Sequence, residues 1–267
     1  MYVYSMAKKD LSGLDLKGAI DFYRRNSAEL LKRLPGDANN TDIQYDLDKP
    51  DCMAVTPSQI NALINLFPRQ ARERFYVDAI RGYPTVYFRR DYAPGREVTF
   101  DATEAISETA IVPSFIPDHP DGHIGIFRIP ESVIPEEIIR RIIHSQGLVH
   151  ELVHSLAKRA KSQGTEQIQL PSSRIVNTKD YLLGLREILE EHAPISAYSS
   201  AFRLPNGKLD DNEGRLFQSI DENLAEIVTA HLLGFSFCDD DSRGLNPFAD
   251  RKGLVKLAQD YLSARKV

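Results

Sequence analysis

The feature of this sequence that most constrains its fold is the run IIHSQGLVHELVHSLAK at residues 142–158. Apolar side chains surround its polar ones on every side, at Leu148, Val149, Leu152, Val153 and Leu156. A helix that is apolar around most of its surface belongs inside a protein core. We therefore predict a buried helix from about Pro135 to Lys161.

Two histidines on this predicted helix, His150 and His154, are four residues apart, with Glu151 beside the first. Residues four apart share one helix face, so both imidazoles can converge on one Zn²⁺. Glu151 lies about 100° around the helix, where a carboxylate can accept a proton from an attacking water. The pattern H-E-x-x-H therefore predicts two zinc ligands and a general base. His144 and His192 have no such partner, and we expect them at polar surface or capping positions.

A catalytic zinc site needs a third protein ligand, and no further histidine follows at a suitable spacing. Two acidic clusters can supply a carboxylate: REILEEH, with Glu187, Glu190 and Glu191, and DENLAEIVTAHLLG, with Asp221, Glu222 and Glu226. The second cluster lies among apolar residues, where a carboxylate is costly unless it is paired or bound to metal. We expect Glu222 to be the ligand and Glu226 to accept the N–H of a ligating histidine. Glu226 and the first cluster remain alternatives for the third ligand.

The rest of the chain predicts helices, then a small sheet, then helices. Helical spacing covers about residues 15–34, 57–67 and 69–83, and again about 178–193, 213–234 and 249–265. The second of these opens with Thr56 as N-cap, Pro57 at the first position and Gln59 completing a capping box.

Four short segments between residues 84 and 129 are rich in β-branched and aromatic residues: PTVYFRR, REVTFD, TAIVPSFI and GHIGIFRI. They predict a mixed sheet of three or four strands, and hence an α+β fold. We divide the chain into an N-terminal helical region, residues 1–81, and a catalytic domain, residues 82–267. The first region can also pack on the same core.

The composition limits the classes of partner that we expect for this protein. The net charge is −5 and the pI about 5.8, so no basic surface favours nucleic acid. No run approaches the ~18 apolar residues that span a bilayer, and the N-terminus does not resemble a signal peptide. We expect a soluble protein without membrane partners, cytoplasmic or exported without a classical signal. Two cysteines, Cys52 and Cys238, are too few for a disulfide framework.

The run NTKDYLLGLREILEEHAPISAYSSAF…IDENLAEIVTAHLLG, which follows VHELVHSL, resembles the catalytic domain of the anthrax lethal factor and Pro-Pro endopeptidase-like family. The resemblance covers about residues 122–234. It implies a zincin-like fold, one Zn²⁺ per chain and endopeptidase activity, as in a bacterial toxin or effector.

The resemblance also implies roles for single residues. It places the family's zinc ligands on His150, His154 and Glu222, its general base on Glu151, a helper tyrosine on Tyr198 and the second acid of E-x-x-A-E on Glu226. The chain departs from the family between Tyr198 and Glu222, where RLPNGKLDDNEGRLFQS lengthens the spacing.

Zinc peptidases of this type commonly bind an extended peptide along an edge strand. We expect that strand at Gly122–Ile129, where Gly122 and Gly125 either admit a close backbone or merely mark turns. Glu151 would deprotonate the attacking water and pass the proton to the leaving amine, while Zn²⁺ and Tyr198 stabilise the oxyanion. The alternatives are a non-proteolytic zinc hydrolase, which a deep closed pocket would favour, and a metal-binding regulatory protein with a protease-like fold.

Overall fold

The computed structural model describes residues 16–84, 86–88, 98–100, 114–115, 122–163, 166–195, 199, 203–210, 212–234 and 251–267. Over these ranges the chain forms α-helices and short strands in an α+β arrangement. No helix in the described ranges combines the length and the apolar character needed to cross a membrane.

The N-terminal part contains α1 (Leu16–Arg33), α2 (Pro57–Asn65) and α3 (Arg69–Arg72). The capping box predicted for α2 is confirmed. The Thr56 side chain accepts from the Gln59 backbone N–H at 3.3 Å, and the Gln59 side chain accepts from the Thr56 N–H at 3.0 Å. Pro57 occupies the first helical position, where its missing N–H has no helical partner to lose.

The prediction of one helix over residues 69–83 is wrong, because α3 ends at Arg72 and the strand β2 (Ala79–Tyr83) follows. In β2, Ile80 and Gly82 are buried whereas Arg81 between them is exposed. A Cβ on Gly82 would lie 2.1 Å from the Lys49 carbonyl oxygen and 2.7 Å from the Cys52 Cβ. Tertiary packing against the turn at residues 49–52 therefore overrides the helical spacing of the segment.

The main sheet has four strands in the order β1-β2-β6-β5. Strand β1 (Asp46–Asp48), β2 and β6 (His123–Phe127) run parallel, and β5 (Ser114–Phe115) is antiparallel to β6. Strands β3 (Val86–Phe88) and β4 (Val98–Phe100) form a separate antiparallel pair. Each of the four predicted segments thus contains a strand, and a mixed four-stranded sheet exists. Two of its strands, however, come from the region predicted to be helical.

Strand β6 is not an edge strand, contrary to our expectation for Gly122–Ile129. Ile126 pairs with Gly82 of β2 on one side and with Ser114 of β5 on the other. Gly122 does admit a close backbone, but that backbone belongs to the same chain. A Cβ there would lie 2.8 Å from both the Asp78 nitrogen and the Tyr76 oxygen.

The C-terminal half is mainly helical. It contains α4 (Glu137–Gln163), α5 (Thr178–Leu183), α6 (Arg186–Glu191), α7 (Glu213–Leu233) and α8 (Lys252–Ser263). A small antiparallel sheet joins β7 (Gln167–Gln169) to β8 (Ile175–Asn177) and to β9 (Arg265–Lys266). The helices predicted near 135–161, 213–234 and 249–265 are confirmed. The one predicted at 178–193 is divided into α5 and α6 by a turn at Gly184 and Leu185.

One hydrophobic core collects side chains from α1, α2, the main sheet, α4, α7 and α8. It includes Ile60 and Ile80, which precede the predicted boundary after residue 81, together with Ile124 and Leu152, which follow it. Strand β2 itself crosses that boundary.

His144 is 1% exposed, so a surface position for it was a wrong prediction. Its Nδ1 accepts from the Ala54 N–H at 2.8 Å, and its Nε2 therefore donates to the Phe127 carbonyl, also at 2.8 Å. Because α4 is buried on all sides here, a polar ring must find partners inside the core. His192 is half-buried at the end of α6, where its Nδ1 lies 2.8 Å from the Ile188 carbonyl oxygen, as a capping residue does.

Candidate metal centre

Helices α4 and α7 pack against each other and carry the side chains of the candidate site. Every residue from 142 to 157 on α4 is buried. On α7, every residue from 219 to 230 is buried except Glu222, whose side chain is 16% exposed. The polar side chains on these helices must therefore satisfy one another, and Glu222 marks the point where the cluster approaches solvent.

Three atoms from these helices converge on one point. The Nε2 atoms of His150 and His154 are 3.0 Å apart, and each lies 3.3 Å from Oε2 of Glu222. Ligands bound tetrahedrally at zinc distances of 2.0–2.1 Å are roughly 3.3 Å from one another. This buried group can hold a metal ion, and among the described residues it is the cluster with suitable geometry.

Two further carboxylates lie beside the outer nitrogens of the two rings. Oε1 of Glu226 lies 3.2 Å from Nδ1 of His150, and Oδ2 of Asp221 lies 2.6 Å from Nδ1 of His154. Glu226 is 1% exposed and Asp221 is also buried. Each imidazole ring therefore has a carboxylate of α7 beside both of its nitrogens. Glu222 lies beside the two Nε2 atoms, and Glu226 and Asp221 lie beside the Nδ1 atoms.

The chemistry of these atoms fits a cation. A carboxylate can only accept, so Asp221 and Glu226 keep a proton on each Nδ1 and leave the Nε2 lone pairs facing inward. Two such lone pairs and the Glu222 carboxylate oxygen, all directed at one point, repel one another unless positive charge lies between them. This arrangement of two nitrogens and one oxygen suits several divalent metals, zinc among them.

The pKa values of the cluster show the same preference for positive charge. Burial lowers the pKa of His154, but the charges of Asp221 and Glu222 and their hydrogen bonds raise it to about 9 overall. Burial likewise opposes the charged forms of His150 and Glu222. Their mutual hydrogen bond and the neighbouring charges nevertheless hold the His150 pKa well above its ordinary value, and that of Glu222 well below. The carboxylates thus favour a cation at the ring nitrogens, whether a proton or a metal ion.

Glu151, the predicted general base, is buried beside this group, but its carboxylate is not one of the three candidate ligand atoms that converge. It lies close enough to His150 for its negative charge to raise the pKa of that ring. Tyr198, the predicted helper tyrosine, lies outside the described residues.

The alternative acidic cluster REILEEH does not join the centre. Glu187 and Glu191 are exposed on α6. Oε1 of Glu190 accepts from Nε of Arg186 and from the Leu209 backbone N–H, both at 3.0 Å. Of the candidate third ligands, the structure brings Glu222 to the Nε2 atoms and Glu226 to the opposite side of one ring.

Sequence reasoning placed Asp221 in the acidic cluster without giving it a role. The available signal was its position directly before Glu222 in a helix that is otherwise apolar, since a second buried acid there needs a partner of its own. Adjacent residues on a helix point about 100° apart. For that reason the contact of Asp221 with the far side of His154 became apparent only when α4 and α7 were placed together.

Comparison of the chain with protein-family models, with curated proteins and with solved structures gives no match.

Proposed function

We propose that this protein is a zinc-dependent endopeptidase with a zincin-like catalytic domain. The observation that carries the proposal is the triangle formed by Nε2 of His150, Nε2 of His154 and Oε2 of Glu222. A carboxylate that is not one of its corners, Glu151, lies buried on the same helix. Three protein ligands that leave a fourth position for water are the arrangement of catalytic rather than structural zinc sites.

In this proposal each residue of the site has a separate role in catalysis. Bound Zn²⁺ would supply a Lewis acid that makes water acidic near neutral pH. Glu151 accepts the proton of the attacking water and returns it to the leaving amine. Asp221 and Glu226 keep the imidazole rings oriented, and Tyr198 supplies a phenol hydroxyl to the developing oxyanion.

The substrate in this proposal is a peptide or protein segment in extended form. Because β6 is paired on both sides, its backbone is not available to a substrate. Among the described strands β5 is the outer one beside β6, and we place the extended peptide along that outer edge.

Zinc content, measured by elemental mass spectrometry on purified proteins, tests the centre. We expect about one zinc per chain in the wild type and a loss of zinc in His154→Ala and in Glu222→Ala. Glu226→Ala keeps most of its zinc, because it removes a carboxylate from the far side of a ring. Zinc retained in Glu222→Ala would exclude Glu222 as a ligand, and a wild type without zinc after reconstitution would end the proposal.

Glu151→Gln tests the chemistry separately from the metal. This variant should keep its zinc and lose cleavage of a proteome-derived peptide library, with new amino termini counted by mass spectrometry. Full cleavage by Glu151→Gln would show that Glu151 is not the general base. If the zinc-loaded wild type releases no new termini, the peptidase proposal fails, and a hydrolase of small substrates or a regulatory metal protein takes its place.

A further inference from the structure

Residues 204–208, within the segment that lengthens the spacing between Tyr198 and Glu222, form a turn. The Leu204 N–H donates to the Lys208 carbonyl at 2.8 Å, and the Gly207 N–H donates to the Leu204 carbonyl at 2.8 Å. Gly207 has a φ of 80°, the left-handed conformation that glycine adopts without strain. Residues 204–208 therefore form a closed turn within this segment, whose last residues, 213–219, belong to α7 itself.

Arg203, at the start of this turn, is a buried guanidinium that joins three parts of the chain. It is 7% exposed. Its Nη1 donates to the His192 carbonyl at 2.8 Å and to the Gly207 carbonyl at 3.3 Å. Its Nε and Nη2 donate to Oδ1 of Asn223 at 3.1 and 3.0 Å. One side chain thus ties the end of α6 and the turn to α7.

Asn223 connects Arg203 to the backbone of Ser199. Arginine has only donors, so the Asn223 oxygen must face Arg203 and its amide nitrogen must face the other way. That nitrogen donates to the Ser219 carbonyl at 2.8 Å and to the Ser199 carbonyl at 3.3 Å. Asn223 is 1% exposed and directly follows the candidate ligand Glu222.

We propose that Arg203 and Asn223 are positioning residues, which hold the backbone at Ser199 against α7 beside the metal ligand Glu222. Ser199 directly follows Tyr198 in the sequence. The hydrogen bond from Asn223, and not the number of intervening residues, then sets how far this part of the chain lies from the centre. The inference rests on the proposed peptidase function and assigns to it two residues that do not touch the substrate.

Substitutions can separate the contact between Arg203 and Asn223 from the contact between Asn223 and the Ser199 carbonyl. Asn223→Asp keeps the oxygen that Arg203 needs and removes the donor to the Ser199 carbonyl. Arg203→Lys keeps the positive charge and removes the forked contact with Asn223. Asn206→Ala is the matched control, because Asn206 is exposed in the same turn and its Oδ1 accepts from the Lys208 N–H, at 3.0 Å.

Hydrogen exchange of the zinc-loaded proteins tests the connection without any substrate. We expect the amide of Ser199 to exchange at least about tenfold faster in Asn223→Asp and Arg203→Lys, with zinc content and the exchange of α4 unchanged. Asn206→Ala should match the wild type. Unchanged exchange at Ser199 in both variants would overturn the inference, and so would loss of zinc together with loss of protection in α4.

Peptide cleavage tests the catalytic consequence. In Asn223→Asp we expect kcat to fall about 10- to 100-fold with KM changed less than about threefold. Adding Asn223→Asp to Tyr198→Phe should lower kcat no further than Tyr198→Phe alone. Losses that multiply, or an unchanged kcat, would overturn the positioning role. A zinc-loaded wild type that cleaves nothing would instead refute the peptidase proposal, while the exchange result still reports whether the connection exists.

Discussion

At the scale of single residues, Asp221 decides the orientation of the His154 ring. Its Oδ2 lies 2.6 Å from Nδ1 of His154, and this contact keeps Nδ1 turned toward Asp221 and Nε2 toward Glu222. A metal-ligating ring without such a support can rotate and can adopt the wrong tautomer.

Asp221→Ala should therefore lower zinc affinity by about 10- to 100-fold, measured by competition with a chromophoric chelator. Asp221→Asn should lose less, because the asparagine oxygen still accepts the Nδ1 proton. Asp260→Ala is the control, since Asp260 pairs with Lys256 on the surface of α8. Equal affinity in Asp221→Ala and wild type would mean that the ring is held by other contacts.

His144 gives the fold a dependence on acid that is separate from the metal centre. Burial lowers the pKa of His144 to about 4, well below its ordinary value of 6.5. The folded state thus prefers the neutral ring, and this contribution to stability is complete above pH 6.5. It declines as the pH falls from 6.5 toward 4, by about 3 kcal/mol in total, because the unfolded chain binds the proton first.

The prediction is tested by urea unfolding of zinc-loaded wild type and His144→Gln between pH 4 and 7.5. Glutamine can supply an acceptor for the Ala54 N–H and a donor for the Phe127 carbonyl, but it does not titrate. The difference in unfolding free energy between the two proteins should grow with pH across the window from 4 to 6.5. A difference that is constant with pH would show that His144 keeps an ordinary pKa.

At the scale of elements, periodicity and caps predicted the long helices well. The stripes of apolar residues on α4 and α7 and the capping box at Thr56 are local signals, readable within a dozen residues. The same reasoning missed β1 and β2. Strand β1, Asp46–Asp48, has three residues, too few for an alternating pattern to be recognised, and β2 is held as a strand by pairing with β1 and with β6, the latter more than 40 residues later.

Gly82→Ala tests whether the approach of β2 to the turn at residues 49–52 is as close as the structure shows. The new Cβ would collide with the Lys49 carbonyl oxygen, which is backbone and cannot rotate away. We expect the free energy of unfolding in urea to fall by about 2–3 kcal/mol. Gly36→Ala, where nothing lies within 4 Å, should change it by less than about 0.5 kcal/mol. Equal stability of the two variants would mean that the turn lies further from β2.

At the scale of the whole molecule, the sheet and the core draw on both ends of the described chain. Strand β2 lies between β1 and β6, and Tyr23 of α1 donates to Gln146 of α4 at 2.7 Å in the interior. Helix α4 therefore depends on residues more than 100 positions away for part of its packing.

A fragment of residues 84–267, which lacks β1 and β2, should fail to reach the native fold. Its β6 would expose one edge and the apolar side chains of Ile124 and Ile126, both of which are buried in the full chain. Circular dichroism and thermal unfolding, compared with the full chain, provide the measurement. A cooperative transition in the fragment near that of the full chain would show that residues 84–267 fold without β1 and β2.

Among the described residues the candidate centre takes its partners from α4 and α7, and Glu222 follows His150 by 72 positions. An ion bound there acts as a cross-link that closes a loop of that length, a constraint comparable to the about 4 kcal/mol of a disulfide over a similar span. The entropy of closing a loop depends on the logarithm of its length, so ten extra residues cost roughly 0.1 kcal/mol. The loops between the two helices can therefore change length over evolutionary time at little cost in closure entropy, whereas α4 and α7 themselves cannot change register.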